Sequence, residues 1–161
     1  MVLLEPNKQQ IFDPIRKKWV LSTPEEIVRQ ELIDRMIHEL LYPKELMAIE
    51  KVLSTIPTVD HTKAPPADRR VDMVCFAKGI HRDYALYPLL LLECKESVLL
   101  KEQAKDQVIG YNYFIKAYFI AVAYPGGIEW GYYDRSKQGY VFFSNLPSYH
   151  RLLQAVKHAR V

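Results

Sequence analysis

Cysteine, glycine and net charge are all scarce in this sequence, and each scarcity removes a class of protein. The two cysteines, Cys75 and Cys94, have neither the spacing of a zinc knuckle nor that of a disulfide framework. Each lies in an apolar, strand-like run and reads as a reduced core residue. Six glycines against eleven tyrosines argue for a sheet-rich packing unit with few flexible loops. No apolar run approaches the roughly 20 residues that a membrane-spanning helix needs. Met1 to Gln10 lacks the basic-then-apolar order of a secretory signal, so the cytoplasm is the expected compartment. With 22 basic and 19 acidic residues the net charge is only +3, and composition alone does not announce a polyanion binder. Local clusters decide that question. Two stand out, Arg16-Lys17-Lys18 and the set Arg151, Lys157 and Arg160, and each by itself also reads as a solvated surface.

What is present is a chain of 161 residues, 49% of them hydrophobic and 25% charged, a balance that suits one globular domain. Residues 10 to 21 read as a hairpin, with a turn at Asp13-Pro14 between Gln10-Ile11-Phe12 and Trp19-Val20-Leu21. Thr23-Pro24-Glu25-Glu26 opens a helix: Thr23 caps, Pro24 fits the first helical position and Glu26 completes a capping box. Val28, Leu32, Met36 and Leu40 then form one apolar stripe, which ends before Pro43. Strands are expected at 46–53, 71–77 and 87–95, with a polar surface loop over 57–67. The run Leu89-Leu90-Leu91-Leu92 marks a strand covered on both faces. A helix over 99–116 carries the stripe Leu100, Ala104, Val108, Tyr111 and Ile115. Strands at 118–123, 128–133 and 140–143 follow, and Pro147 opens a last helix with Tyr149, Leu152, Leu153 and Val156 on one face. This order of elements predicts an α+β domain, a mixed sheet flanked by helices.

The chemistry concentrates in Leu92-Glu93-Cys94-Lys95. Alternation along a strand puts Glu93 and Lys95 on one face. Charged groups at the end of a four-leucine strand call for a reason, since such groups are seldom buried without one. Asp72 lies in the preceding strand and comes beside Glu93 if the two strands form an antiparallel hairpin. Two adjacent carboxylates repel unless a cation neutralises them, and hard oxygen donors suit magnesium or manganese better than zinc. Such an ion polarises water and binds a phosphate oxygen, while Lys95 orients the attacking water or offsets phosphoryl charge. On spacing alone, the same residues also read as a strand-end ion pair, Glu93 with Lys95 or Asp72 with an arginine. Gln107 and Tyr111 share a face of the following helix, and Glu31 borders the apolar stripe of the first.

The ordered set Glu31, Asp72, Glu93-Cys94-Lys95 and Gln107-Val108-Ile109-Gly110-Tyr111 resembles the restriction-endonuclease-like, or PD-(D/E)xK, nuclease superfamily. More narrowly, Asp13-Pro14-Ile15-Arg16-Lys17-Lys18-Trp19, Pro24-Glu25-Glu26-Ile27-Val28-Arg29-Gln30 and Tyr42-Pro43-Lys44-Glu45-Leu46 resemble the N-terminal domain of type I restriction enzyme R subunits, over about residues 10 to 130. The resemblance implies a restriction-endonuclease-like central mixed sheet between helices and magnesium-dependent cleavage of DNA. It implies metal binding by Asp72, Glu93 and the backbone carbonyl of Cys94, with Lys95 catalytic. Glu31 is similar to an acidic residue that assists the metal site from the first helix in some relatives. Gln107 and Tyr111 are similar to a helix motif that supports the site and contacts DNA. Two departures stand out. Val71 occupies the position of the superfamily's proline, and no Walker-type loop is present, so ATP-driven translocation is expected to be absent or supplied by a separate helicase or translocase chain. On this reading residues 1–161 are a single nuclease-like domain: a hairpin at about 10–21, a core at about 24–124, and C-terminal strands and helix at about 128–160. A homodimer would bring two sites to one duplex. The alternative reading is a catalytically silent nuclease-fold module that binds nucleic acid or another partner, and RNA is the alternative substrate.

Overall fold

The computed structural model describes residues 2–5 and 9–159. Near the N-terminus, β1 (Leu3–Glu5), β2 (Gln10–Asp13) and β3 (Lys18–Leu21) form a small antiparallel sheet. The hairpin expected over 10–21 is its β2–β3 half, with Asp13 opposite Lys18. Asp13 shapes the turn, because its Oδ1 accepts the N–H groups of Ile15 at 2.8 Å and Arg16 at 3.1 Å. This is an Asx turn, in which a side chain supplies the acceptor that a tight backbone turn lacks.

Helix α1 (Pro24–His38) starts as its sequence directs, with Thr23 Oγ1 accepting the N–H of Glu26 at 3.2 Å and Pro24 in the first turn. The reciprocal half of the expected capping box is not made. Glu26 turns instead to two guanidinium groups, those of Arg16 and Arg29, since charge-assisted bonds outweigh one bond to a backbone N–H. Val28, Leu32 and Met36 are buried as the stripe requires. The helix stops before Leu40, and Leu41 follows in the left-handed region at φ 58.

The main sheet has six strands in chain order: β4 (Met47–Val52), β5 (Arg70–His81), β6 (Tyr84–Cys94), β7 (Phe119–Tyr124), β8 (Gly127–Asp134) and β9 (Gly139–Ser144). Only β6 and β7 run parallel, because helix α2 (Lys101–Ile115) carries the chain back across the sheet between them. Strands β5 and β6 are longer than their apolar cores suggested, since pairing alone extends both to the Arg82-Asp83 turn. Their register shifts between Cys75 and Phe76, where Phe76 faces Pro88, a residue with no N–H to give the ladder. All four leucines of 89–92 are buried. One face of the sheet packs against α1 and α3 (Tyr149–Ala159), the other against α2.

Three expectations need adjustment. Helix α2 begins at Lys101, two residues late, because Ser97 Oγ accepts the Leu99 N–H and closes a separate 3-10 turn over Val98–Leu100. The last helix begins at Tyr149, not at Pro147. The 57–67 loop is not wholly on the surface. Thr58 and Val59 are buried, and the Thr58 hydroxyl donates to the Ile115 carbonyl at 2.6 Å, tying the loop to the end of α2. Both cysteines are free and buried. Among the described residues no helix is long and apolar enough to cross a membrane.

Candidate active site

The site forms where β5 and β6 part. Met73 opposite Leu92 is the last pair of their ladder at this end. Beyond it the Cys94 N–H, with no β5 carbonyl to meet, donates to Asp72 Oδ2 at 2.7 Å. The Asp72 N–H donates in turn to Glu93 Oε1 at 3.4 Å, and the Asp72 charge acts on the Glu93 carboxyl. Glu93 is 1% exposed. Burial first, and then the neighbouring Asp72 charge, push its carboxyl well above the usual glutamate range. Lys95 leaves β6 half-buried, anchored by its backbone N–H on the Ala123 carbonyl at 2.9 Å. Its ammonium group acts electrostatically on Glu93 and on Glu25. Asp72, Glu93 and Lys95 therefore share one corner of the sheet.

The donor chemistry at this corner fits a divalent cation. Two crowded carboxylates, one of them fully buried, are stabilised by positive charge, and the Cys94 carbonyl leaves β6 along the same edge as the N–H that reaches Asp72. Among the described residues no three or more His, Cys, Asp or Glu side chains are placed to hold a metal ion by themselves. The protein would thus offer two carboxylates and one backbone oxygen, a set that leaves room for water.

A chain of charges not read from the sequence runs into this corner. Arg16 bonds Asp13 and, at 2.6 Å, Glu26. Glu26 holds Arg29 through Nε at 2.8 Å and Nη2 at 3.1 Å, and Arg29 Nη1 stands 3.9 Å from Asp72 Oδ1. That Nη1 is buried and, among the described residues, has no hydrogen-bond partner. Burial opposes the charge on Arg29, but Glu26 outweighs it and keeps the guanidinium protonated. The basic cluster Arg16-Lys17-Lys18 is therefore divided, with Arg16 turned inward as a structural cation and Lys17 and Lys18 exposed. The signal for this was the recurrence of Glu26 and Arg29 one helical turn apart, which periodicity of apolar residues does not weigh.

The first helix supplies an acid near the pair, and it is Glu25. Burial and then the Asp72 charge raise its carboxyl pKa, while Lys95 and Arg29 lower it. Glu31 lies two turns further along α1, exposed, in a shallow groove with Arg35, Ala123, Tyr124 and the Gly126-Gly127 turn. Gln107 Nε2 donates to the Tyr111 hydroxyl at 3.1 Å. The opposite flank of α2 is held by Lys105 on Glu129 and Asn112 on Tyr140, so Gln107 and Tyr111 face the β4–β5 side. Among the described residues they bond each other rather than Asp72, Glu93 or Lys95. An open groove of about 530 Å³ leads along α1 beside this corner, lined by Lys18, Trp19, Glu25, Arg29, Glu50 and Glu96 among others.

No curated protein and no solved structure matches the chain. One family model does, over residues 24–147. That span leaves out the hairpin counted in the resemblance and adds β9 and the approach to α3. It contains Asp72, Glu93, Lys95, Gln107 and Tyr111, the helix that presents Glu25 and Arg29, and most of the chain. The chain belongs to the family described as type I restriction enzyme R protein N terminus (HSDR_N).

Proposed function

We propose that this chain is a nuclease that hydrolyses DNA phosphodiester bonds with magnesium, for which manganese substitutes. The observation that carries the reading is the convergence of the Asp72 and Glu93 carboxyl groups where β5 and β6 part, with Lys95 two residues on. Asp72, Glu93 and the Cys94 carbonyl would hold the ion. Bound there, magnesium would supply Lewis acidity to a water and charge stabilisation to the phosphoryl oxygens. Lys95 donates hydrogen bonds that orient the attacking water and offset charge as the bond to the leaving alkoxide breaks. Glu25 adds a negative group from α1, and Arg29 sets the position of Asp72. Gln107 and Tyr111 support the flank on which DNA would pass. Membership of the R-protein family supports DNA as the substrate.

The test is incubation of the purified chain with duplex DNA, single-stranded DNA and RNA in magnesium or manganese. Cleavage of DNA is expected, and Asp72→Ala and Lys95→Ala are each expected to abolish it. If those variants cut as well as the parent, the site is misassigned. A second reading is a silent nucleic-acid-binding module, favoured by one observation: Arg29 at 3.9 Å can neutralise Asp72 without any metal. Salt-dependent DNA binding with no cleavage under any divalent ion would select it.

A further inference from the structure

We propose that the groove between β8 and α3 binds the unpaired bases of a single nucleic-acid strand, at a surface separate from the Asp72–Glu93 corner. The groove is a broad concavity of about 1270 Å³. It lies on the α1–α3 face of the sheet, under α3 rather than beside the N-terminal half of α1 that carries Glu25 and Arg29. Its mouth is also displaced along the strands. Phe119 pairs with Leu90 whereas Val122 pairs with Glu93, three residues or about 10 Å along β7.

The lining explains the choice of ligand. Phe119, Trp130 and Tyr132 project from adjacent strands as a continuous array, with ring centroids 6.0 to 6.4 Å apart. Phe143 on β9 extends it, lying 5.8 Å from Tyr132 with nearly parallel rings, and is 44% exposed. The Trp130 indole N–H is tied to the Ser144 carbonyl at 3.2 Å, which fixes the ring within the array. Arg135 in the β8–β9 turn and Arg151 on α3 line the same groove. Both are exposed, and among the described residues neither has an ion-pair partner and no carboxylate lines the groove. The groove beside α1 is the reverse, carrying four glutamates, Glu25, Glu26, Glu50 and Glu96. Aromatic faces for bases and unpaired guanidinium groups for phosphates are the two components of single-strand recognition. A duplex, whose bases are stacked on one another, cannot use the rings. Of the C-terminal basic set, Arg151 lines the groove, Lys157 is exposed nearby on α3, and Arg160 lies outside the described residues.

The chain has two tryptophans, Trp19 and Trp130, so Trp19→Phe leaves Trp130 as the sole reporter. In EDTA, which keeps any nuclease activity silent, an oligo-dT strand of about 12 nucleotides is expected to quench Trp130 fluorescence, and a duplex of equal length is not. Tyr132→Ala is expected to weaken binding about tenfold. The double variant Arg135→Glu, Arg151→Glu is expected to flatten the dependence of log Kd on log salt by about 1.4, at about 0.7 per phosphate contact. Both arginines are exposed, so this variant tests the groove even if Tyr132→Ala unfolds. An unquenched Trp130, or a charge reversal without effect on affinity and salt slope, overturns the proposal. So does a chain dimer that Arg135→Glu dissociates, because the groove would then be covered by a second copy. Binding in EDTA is read without cleavage, so failure here leaves the nuclease reading standing, and the converse also holds.

Discussion

Glu93→Gln is expected to lower magnesium-dependent cleavage by about 10²–10³-fold, the scale of losing one stabiliser of transition-state charge, and yet to make the metal-free protein more heat-resistant at neutral pH. The two effects share one cause. Burial and the Asp72 charge raise the Glu93 pKa in the folded chain. A group raised on folding contributes its stability below its unfolded pKa, and the contribution is lost as pH rises through the folded value. Below the ordinary glutamate value of 4.5, Glu93 is protonated in both states and the wild type suffers nothing from it. Above that value the unfolded chain releases the proton, the folded chain must retain it or bury a charge, and stability falls. Glutamine cannot ionise, and its amide can donate to Asp72. The gain at pH 7 should be on the order of 1–3 kcal/mol, the desolvation cost of a buried polar group, read as about 2–4 °C in Tm for each kcal/mol. It should shrink toward zero as pH is lowered to 4.5. Magnesium should then raise the Tm of the wild type and leave that of Glu93→Gln unmoved. A glutamine variant that still cuts at the parent rate, and melts at the parent temperature, removes Glu93 from the site.

Arg16→Met should destabilise the protein by about 3 kcal/mol, or about 6–12 °C in Tm, although Arg16 sits in a hairpin that looks peripheral. Arg16 is the cation between Asp13, 0% exposed, and Glu26, 5% exposed. Among the described residues, removing it leaves Asp13 with its two backbone donors and Glu26 with Arg29 and Gln30. Burial opposes ionisation of Asp13, but the Arg16 bonds outweigh it and hold its pKa below the ordinary value of 3.8; for Glu26 the bonds from Arg29 and Arg16 do the same. Depressed carboxylates stabilise the fold above their unfolded pKa values and lose that contribution as pH falls through the folded ones. The gap between wild type and Arg16→Met should therefore be full at pH 7 and narrow below about pH 4. Arg16→Lys should recover part of it, since an ammonium cannot reproduce the forked geometry. Calorimetric melts at the two pH values check this, and equal Tm values at pH 7 would mean the network carries no net stability.

The strands and helices were legible because apolar periodicity and turn chemistry are local. Thr23-Pro24, the four leucines and the stripe of α2 each act within a few residues, and the structure places an element at each. The same locality explains the misses. Glu26 was read as a capping partner because a capping box is written over four residues, whereas the Arg16 that captures it is ten positions away. The stripe that begins at Leu100 carries the expected helix back to Leu99, yet Leu99 is 90% exposed and lies in the 3-10 turn ahead of α2. Polar side chains choose partners by charge and distance in space, and these become defined only once the sheet has closed.

Strand alternation is enough to expect Glu93 and Lys95 on one face, since the period of two is a property of the extended backbone. That Asp72 meets Glu93 needed the β5–β6 register, and that Glu93 is dry needed the leucine core behind it. Glu25 rather than Glu31 stands near the pair because of how α1 lies against the sheet, an angle set by packing of the whole helix. The aromatic groove under α3 joins residues from three strands and a helix that no spacing rule relates. The sequence by itself determined which side chains each element presents. The tertiary structure decided which of them face one another, because electrostatic and hydrogen-bonding energies depend on separations of a few ångströms that chain order does not encode.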